Sequence, residues 1–174
     1  LHRAIEGDWN TERKTVNLDI IRLLIDKGAD VNVKDDNENT PLHLSTNKNI
    51  AELLISNRAD VNAKDWSGET PLHRIISNED VQLDIIKLLI EKGADVNAKD
   101  EEDSTPLHIA GDCSVDLKII KQLISSGANA DSKDCSGETP LHKIIVNEDV
   151  DIIAFLISRG IGLNIKNNKG KTPL

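Results

Sequence analysis

The chain has no tyrosine and no methionine, and its aromatic side chains amount to two tryptophans and one phenylalanine in 174 residues. A single globular core of this length is normally built around several large aromatic side chains. Here isoleucine and leucine must supply the packing. Cysteine is equally scarce: Cys113 and Cys135 stand 22 residues apart (135 minus 113), with no C-x-x-C pair. That excludes a disulfide framework and a cysteine zinc site, and it fits a reducing, cytoplasmic setting. No apolar run approaches the roughly 18 residues of a membrane span, so direct membrane insertion is not expected. Positive charge is in deficit, with 21 Lys and Arg against 30 Asp and Glu for a net of −9. A nucleic-acid partner asks for a basic face, so none is expected. A partner steered by charge would be basic.

What is present is repetition. The string T-P-L-H occurs at Thr40–His43, Thr70–His73, Thr105–His108 and Thr139–His142. The chain opens on Leu1-His2 and closes on Thr172-Pro173-Leu174, so it reads as an excerpt of a longer protein. Successive threonines (40, 70, 105, 139, 172) are 30, 35, 34 and 33 residues apart. A second string recurs as Gly28-Ala29-Asp30-Val31-Asn32, Arg58–Asn62, Gly93–Asn97, Gly127–Asp131 and Gly160–Asn164. From its first residue to the next threonine is 12 in every unit (28 to 40, 58 to 70, 93 to 105, 127 to 139, 160 to 172). All length variation therefore lies between the threonine and the glycine position. Such self-similarity indicates a stack of repeats that bury their faces on one another.

Each unit reads as two helices. Thr-Pro is a helix start: threonine suits the N-cap, and proline suits the first position, where an N–H would be unpaired anyway. A short helix is expected after each, such as Pro71 to about Ser77. A second helix ends at the glycine, which fits a left-handed C′ position. Its apolar residues fall at i, i+3, i+4 (Ile86, Leu89, Ile90; Ile120, Leu123, Ile124), one stripe of a helix that must face a neighbour. The first unit is longer: Leu1 to Gly28 is 27 residues and Leu141 to Gly160 is 19. The excess around Gly7–Thr15, including Trp9, is expected to form a surface loop.

The T-P-L-H strings, the G-A-D-V-N connectors and a period near 33 resemble the ankyrin repeat family over essentially the whole chain. The resemblance implies an all-α solenoid of antiparallel helix pairs joined by β-hairpin-like loops. It implies one domain over 1–174, with a partial first repeat at 1–39, then 40–69, 70–104, 105–138 and 139–171, and the start of another at 172–174. It further implies a concave surface of hairpin tips and first helices that binds other proteins. The motif histidine is implied to hydrogen-bond its own turn and the neighbouring backbone. Asn32, Asn62, Asn97 and Asn164 match a position that asparaginyl hydroxylases modify in this family, and Asp131 departs from it.

Other departures carry physical consequences. The family turn has the form D-x-x-G-x-T, and Glu38 and Asp103 stand where its glycine belongs. A positive φ there would cost each about 1 kcal/mol. Arg58 replaces a helix-ending glycine, with Asn57 beside it as an expected substitute.

The expected protein-binding residues are variable tip and first-helix positions: Asp36, Asn37, Asn39; Trp66, Ser67, Glu69; Glu101, Glu102, Ser104; Cys135, Ser136, Glu138; and Arg74, Ile109 and Lys143. Trp66 leads, because a tryptophan between Asp65 and Ser67 on a turn has little reason to be buried and tryptophan is enriched at interface hot spots. The acidic tips predict a basic patch on the partner. The five histidines fall one per layer, with layers about 8–10 Å apart, too far apart to share a metal. No phosphate loop or nucleophile motif is present, so no catalysis and no cofactor are expected. The chain is expected to act as a monomeric interaction module in the cytoplasm. The alternatives are a spacer or scaffold for a domain outside the segment, or a secreted effector in a host cytoplasm.

Overall fold

The apolar stripes and Thr-Pro starts translate into nine α-helices among the described residues. The computed structural model describes residues 1–6, 18–78, 81–113, 115–147 and 150–174. The expected loop bearing Trp9 lies outside them. The chain forms two compact units, Leu1–Ala94 and Asp95–Leu174, divided inside the third G-A-D-V-N string.

In the first unit α1 (His2–Glu6) packs on α2 (Leu18–Asp26), which packs on α3 (Lys48–Ser56). Next, α4 (Pro71–Ile76) and α3 both pack on α5 (Leu83–Glu91). Ile50, Leu54, Ile85, Ile86 and Leu89 are buried along the stacked second helices. Each such side chain contributes roughly 1.5–3 kcal/mol by leaving water.

The second unit follows the same plan. Here α6 (Pro106–Asp112) pairs with α7 (Leu117–Ser125), and α8 (Pro140–Ile144) pairs with α9 (Val150–Ser158). First helix stacks on first helix, α6 on α8, and second on second, α7 on α9. A short 3-10 turn, Ile145–Asn147, extends α8.

One expected helix is missing. Pro41–Leu44 forms turns, with hydrogen bonds three residues apart from His43 N–H to the Thr40 carbonyl and from Ser45 N–H to that of Leu42. The reason is length. Seven residues separate Thr40 from Lys48, the first residue of α3, whereas twelve separate Thr70 from Leu83, the first residue of α5. The buried Ser45 hydroxyl also donates to the Pro41 carbonyl at 2.8 Å, a side-chain bond that competes with helix continuation.

Helix ends follow the sequence signals. Gly28, Gly93, Gly127 and Gly160 all have positive φ, and the following amides reach back to Leu24, Leu89, Leu123 and Leu156 carbonyls. This is the closing pattern of a Schellman motif. In the second repeat Arg58 itself takes φ 71, while Asn57 sits at φ −99. The expected substitution by Asn57 is therefore corrected: the arginine adopts the left-handed conformation, and Asn57 uses its side chain to donate to the Leu53 carbonyl at 2.8 Å.

Candidate functional site: the hairpin tips

Five tips share one construction. The first residue accepts two amides with one side-chain oxygen: Asp35 from Asn37 and Asn39, Asp65 from Ser67 and Glu69, Asp100 from Glu102 and Ser104. Asp134 does so from Ser136 and Glu138, and Asn167 from Lys169 and Lys171. A carboxylate holding two N–H groups fixes the turn beneath the exposed residues. Burial works against ionisation of Asp35, but the hydrogen bonds from Asn39 and Asn37 outweigh it and hold its pKa below the ordinary value.

Successive tips are stapled at four levels. At the apex, Trp66 N–H donates to the Asn37 carbonyl at 3.2 Å, Cys135 N–H to that of Glu102 at 2.8 Å and Asn168 N–H to that of Ser136 at 3.0 Å. Below it, Lys34, Lys99 and Lys133 donate to the carbonyls of Lys64, Lys133 and Lys166 at 2.9, 3.2 and 2.7 Å. Toward the second helices, Asn32, Asn62 and Asn97 donate to the Arg58, Gly93 and Gly127 carbonyls. At the base, His2, His43, His108 and His142 reach the carbonyls of Asn39, Glu69, Glu138 and Lys171 at 2.7–3.2 Å. The lysine staple was legible as Lys34, Lys64, Lys99, Lys133 and Lys166 in one register, six residues after the glycine position, and sequence reasoning passed over it.

A family model for ankyrin repeats (three copies) matches residues 1–100, 49–116 and 107–174. The chain belongs to the ankyrin repeat family. Ankyrin repeats are generally protein–protein interaction modules without catalysis. No curated protein matches the chain.

The ankyrin tips sort the expected binding residues into three groups. Asp36, Asn37, Trp66, Glu101, Glu102, Cys135 and Ser136 are exposed, and Trp66 is 64% accessible. Ser67, Glu69, Ile109, Glu138 and Lys143 are half-buried, and Arg74 is exposed. Asn39 and Ser104 are buried, at 4% and 6%, so they underlie the surface they were expected to form. The same tip position carries Asn39, Glu69, Ser104 and Glu138; only the longer glutamates reach outward. The fifth tip adds the exposed Asn168 and Lys169, missed because its turn begins with Asn167 in place of aspartate.

The tip charges are partly cancelled from within. Arg74 Nη1 lies 3.3 Å from Glu69, and its Nε lies 4.0 Å from Asp65. Lys143 sits 3.6–3.7 Å from Asp112, Asp134 and Glu138. Burial lowers the Lys143 pKa, and the three carboxylates reverse that and raise it. Glu38 and Asp103 pair with Lys34 and Lys99. Among the described residues, the exposed acidic tip residues outside these ion pairs are Asp36, Glu101 and Glu102. Among the described residues no His, Cys, Asp and Glu side chains gather as a metal-ligand set. No helix among them is long and apolar enough to cross a membrane.

Proposed function

We propose that this chain is a non-catalytic docking array that binds a protein carrying a basic segment. The contact surface in each unit is its exposed tips with the first-helix residues beside them. The observation that carries this reading is Trp66. It stands 64% exposed on a turn whose backbone is held by Asp65 from below and by Asn37 from the preceding tip. A rigid, exposed tryptophan loses little conformational freedom on binding, and burying it returns a large hydrophobic gain. Asp36, one tip away, and Glu101 and Glu102 in the second unit supply negative charge that no ion pair among the described residues cancels. The exposed thiols of Cys113 and Cys135, not joined in a disulfide, support a cytoplasmic setting.

The test is affinity capture from lysate by the chain, followed by titration of the captured partner. Trp66→Ala and a Glu101→Lys, Glu102→Lys double variant should each weaken binding at least tenfold while circular dichroism stays unchanged. Raising the salt should weaken binding to the parent chain. A partner held equally by all three proteins and at all salt concentrations would overturn the reading.

A further inference from the structure

The tips bearing Trp66 and Cys135 are each held by the histidine of the T-P-L-H string before them, with both ring nitrogens engaged. His43 Nδ1 accepts the Thr40 backbone N–H at 3.0 Å and lies 2.9 Å from the Thr40 hydroxyl. Its Nε2 lies 3.2 Å from the Glu69 carbonyl. His108 repeats this with the Thr105 N–H at 3.1 Å, the Thr105 hydroxyl at 2.9 Å and the Glu138 carbonyl at 3.1 Å. A backbone N–H can only donate and a carbonyl can only accept. The ring is therefore the neutral tautomer with its proton on Nε2. A second proton has one place to go, Nδ1, where it opposes the threonine N–H. The hydroxyl can rotate to accept it, but the amide is left without an acceptor. The rings are 3% and 0% exposed, so water does not take over the lost bond.

We propose that His43 and His108 are acid-sensitive latches beneath the docking tips: protonation breaks the Nδ1 bond to the Thr40 and Thr105 amides, the anchor from which each ring holds the Glu69 or Glu138 carbonyl. The consequence for binding rests on the docking function proposed above; the latch itself is a property of the free chain. The surroundings set its direction. For His43, burial disfavours the charged ring and Arg74 adds to that, while the Glu69 and Ala63 carbonyls and the Asp65 carboxylate favour it. For His108, burial and Lys143 oppose the charge, and the Glu138 carbonyl, Asp134 and Asp112 favour it. Burial prevails in both, and both pKa values lie below the ordinary 6.5. Above about pH 6.5 the ring is neutral whether the latch is closed or open, and the latch holds fully. Below it the opened ring takes up a proton before the closed one, so opening becomes easier as pH falls. The limit is about tenfold per pH unit for each latch.

Native-state hydrogen exchange of the Thr40 and Thr105 amides reads this directly. Opening constants, corrected for intrinsic exchange, should rise more than threefold between pH 7 and 5.5. The Ala29 amide, bonded to a helix carbonyl, should stay flat over the same range. In His43→Gln, which cannot titrate, the rise should vanish at Thr40 and persist at Thr105. Imidazole nitrogen spectra of the parent chain should report the Nε2–H form for both rings at pH 7.5, whether or not the variant folds. Flat opening constants at both threonines, or an Nδ1–H ring, would overturn the latch. Failure of the Trp66 capture experiment would leave these free-chain readouts untouched, so the two proposals fail separately.

Discussion

Lys34 Nζ lies 2.9 Å from the Glu38 carboxylate and 2.9 Å from the Lys64 carbonyl, so one ammonium ties a strained turn to itself and to the next repeat. Lys99 does the same with Asp103 at 3.1 Å and the Lys133 carbonyl at 3.2 Å. Glu38 and Asp103 have φ 58 and 60, where Gly68, Gly137 and Gly170 have 75, 72 and 74. The turn geometry is therefore retained without glycine, and each acidic replacement lies four residues after a lysine that can reach it.

The pair recovers only part of the strain. Both partners are about half exposed, and such ion pairs give a few tenths of a kcal/mol. A left-handed non-glycine residue costs about 1 kcal/mol. Glu38→Gly and Asp103→Gly should each stabilise by about 0.5 kcal/mol in urea unfolding. Glu38→Ala, which keeps the strain and loses the pair, should destabilise. A loss on changing to glycine would mean that the lysine bridge outweighs the backbone term.

Arg58 presents the same strain, and its side chain forms no ion pair among the described residues. Its φ of 71 sits in a Schellman closure that uses only backbone, with Arg58 N–H to Ile55 and Ala59 N–H to Leu54. Arg58→Gly keeps every one of these bonds and should stabilise by about 1 kcal/mol. The Ala59 amide should then exchange about fivefold more slowly. Unchanged exchange would show that this helix end is not where the repeat opens.

Asp131 occupies the place of the stapling asparagines and completes half of their work. Asn32 accepts the Asp60 amide and donates to the Arg58 carbonyl, and Asn97 accepts that of Asn129 and donates to Gly127. Asp131 accepts the Gly162 amide at 3.0 Å and has no proton to give in return. Asp131→Asn should add a bond to the Gly160 carbonyl and stabilise by about 0.5–1.5 kcal/mol. Calorimetry of the pair of proteins checks this, and a lower thermal midpoint for the asparagine form would refute it.

Gly111 inverts the usual helix preference. Alanine in a helix interior normally gains about 1 kcal/mol over glycine. A Cβ here would lie 2.9 Å from Lys143 Cβ, 3.0 Å from Ile144 Cγ1 and 3.2 Å from the Pro140 carbonyl oxygen. The contact of α6 with α8 is this close because position 111 has no side chain. Gly111→Ala should destabilise by about 1–3 kcal/mol through overpacking. A stabilised variant in chemical unfolding would show that α8 can shift without cost.

Which residues bear function was only partly legible. Trp66 could be placed outside from its neighbours alone, because Asp65 and Gly68 define a turn and a turn has two sides. Asn39 and Ser104 could not be placed, because their tip position is outward or buried according to side-chain length. The cancellation of Glu69 by Arg74 and of Glu138 by Lys143 was also hidden. It depends on a first-helix cation standing over its own tip, which a list of charges along the chain does not reveal.

The sequence by itself determined the repeat, its helix starts at Thr-Pro, its helix ends at glycine and the 12-residue connector between them. These rest on backbone preferences of one or two residues, which act locally. Only the tertiary structure decided what each polar side chain is for. Asn32 and Lys34 find their acceptors 26 and 30 residues away on the next repeat, and His43 finds its own 26 residues away at the tip that closes its repeat. The close approach at Gly111 likewise follows from how neighbouring layers meet. Stacking within each compact unit brings one repeat's donors to the next repeat's carbonyls, and that distance is set by packing.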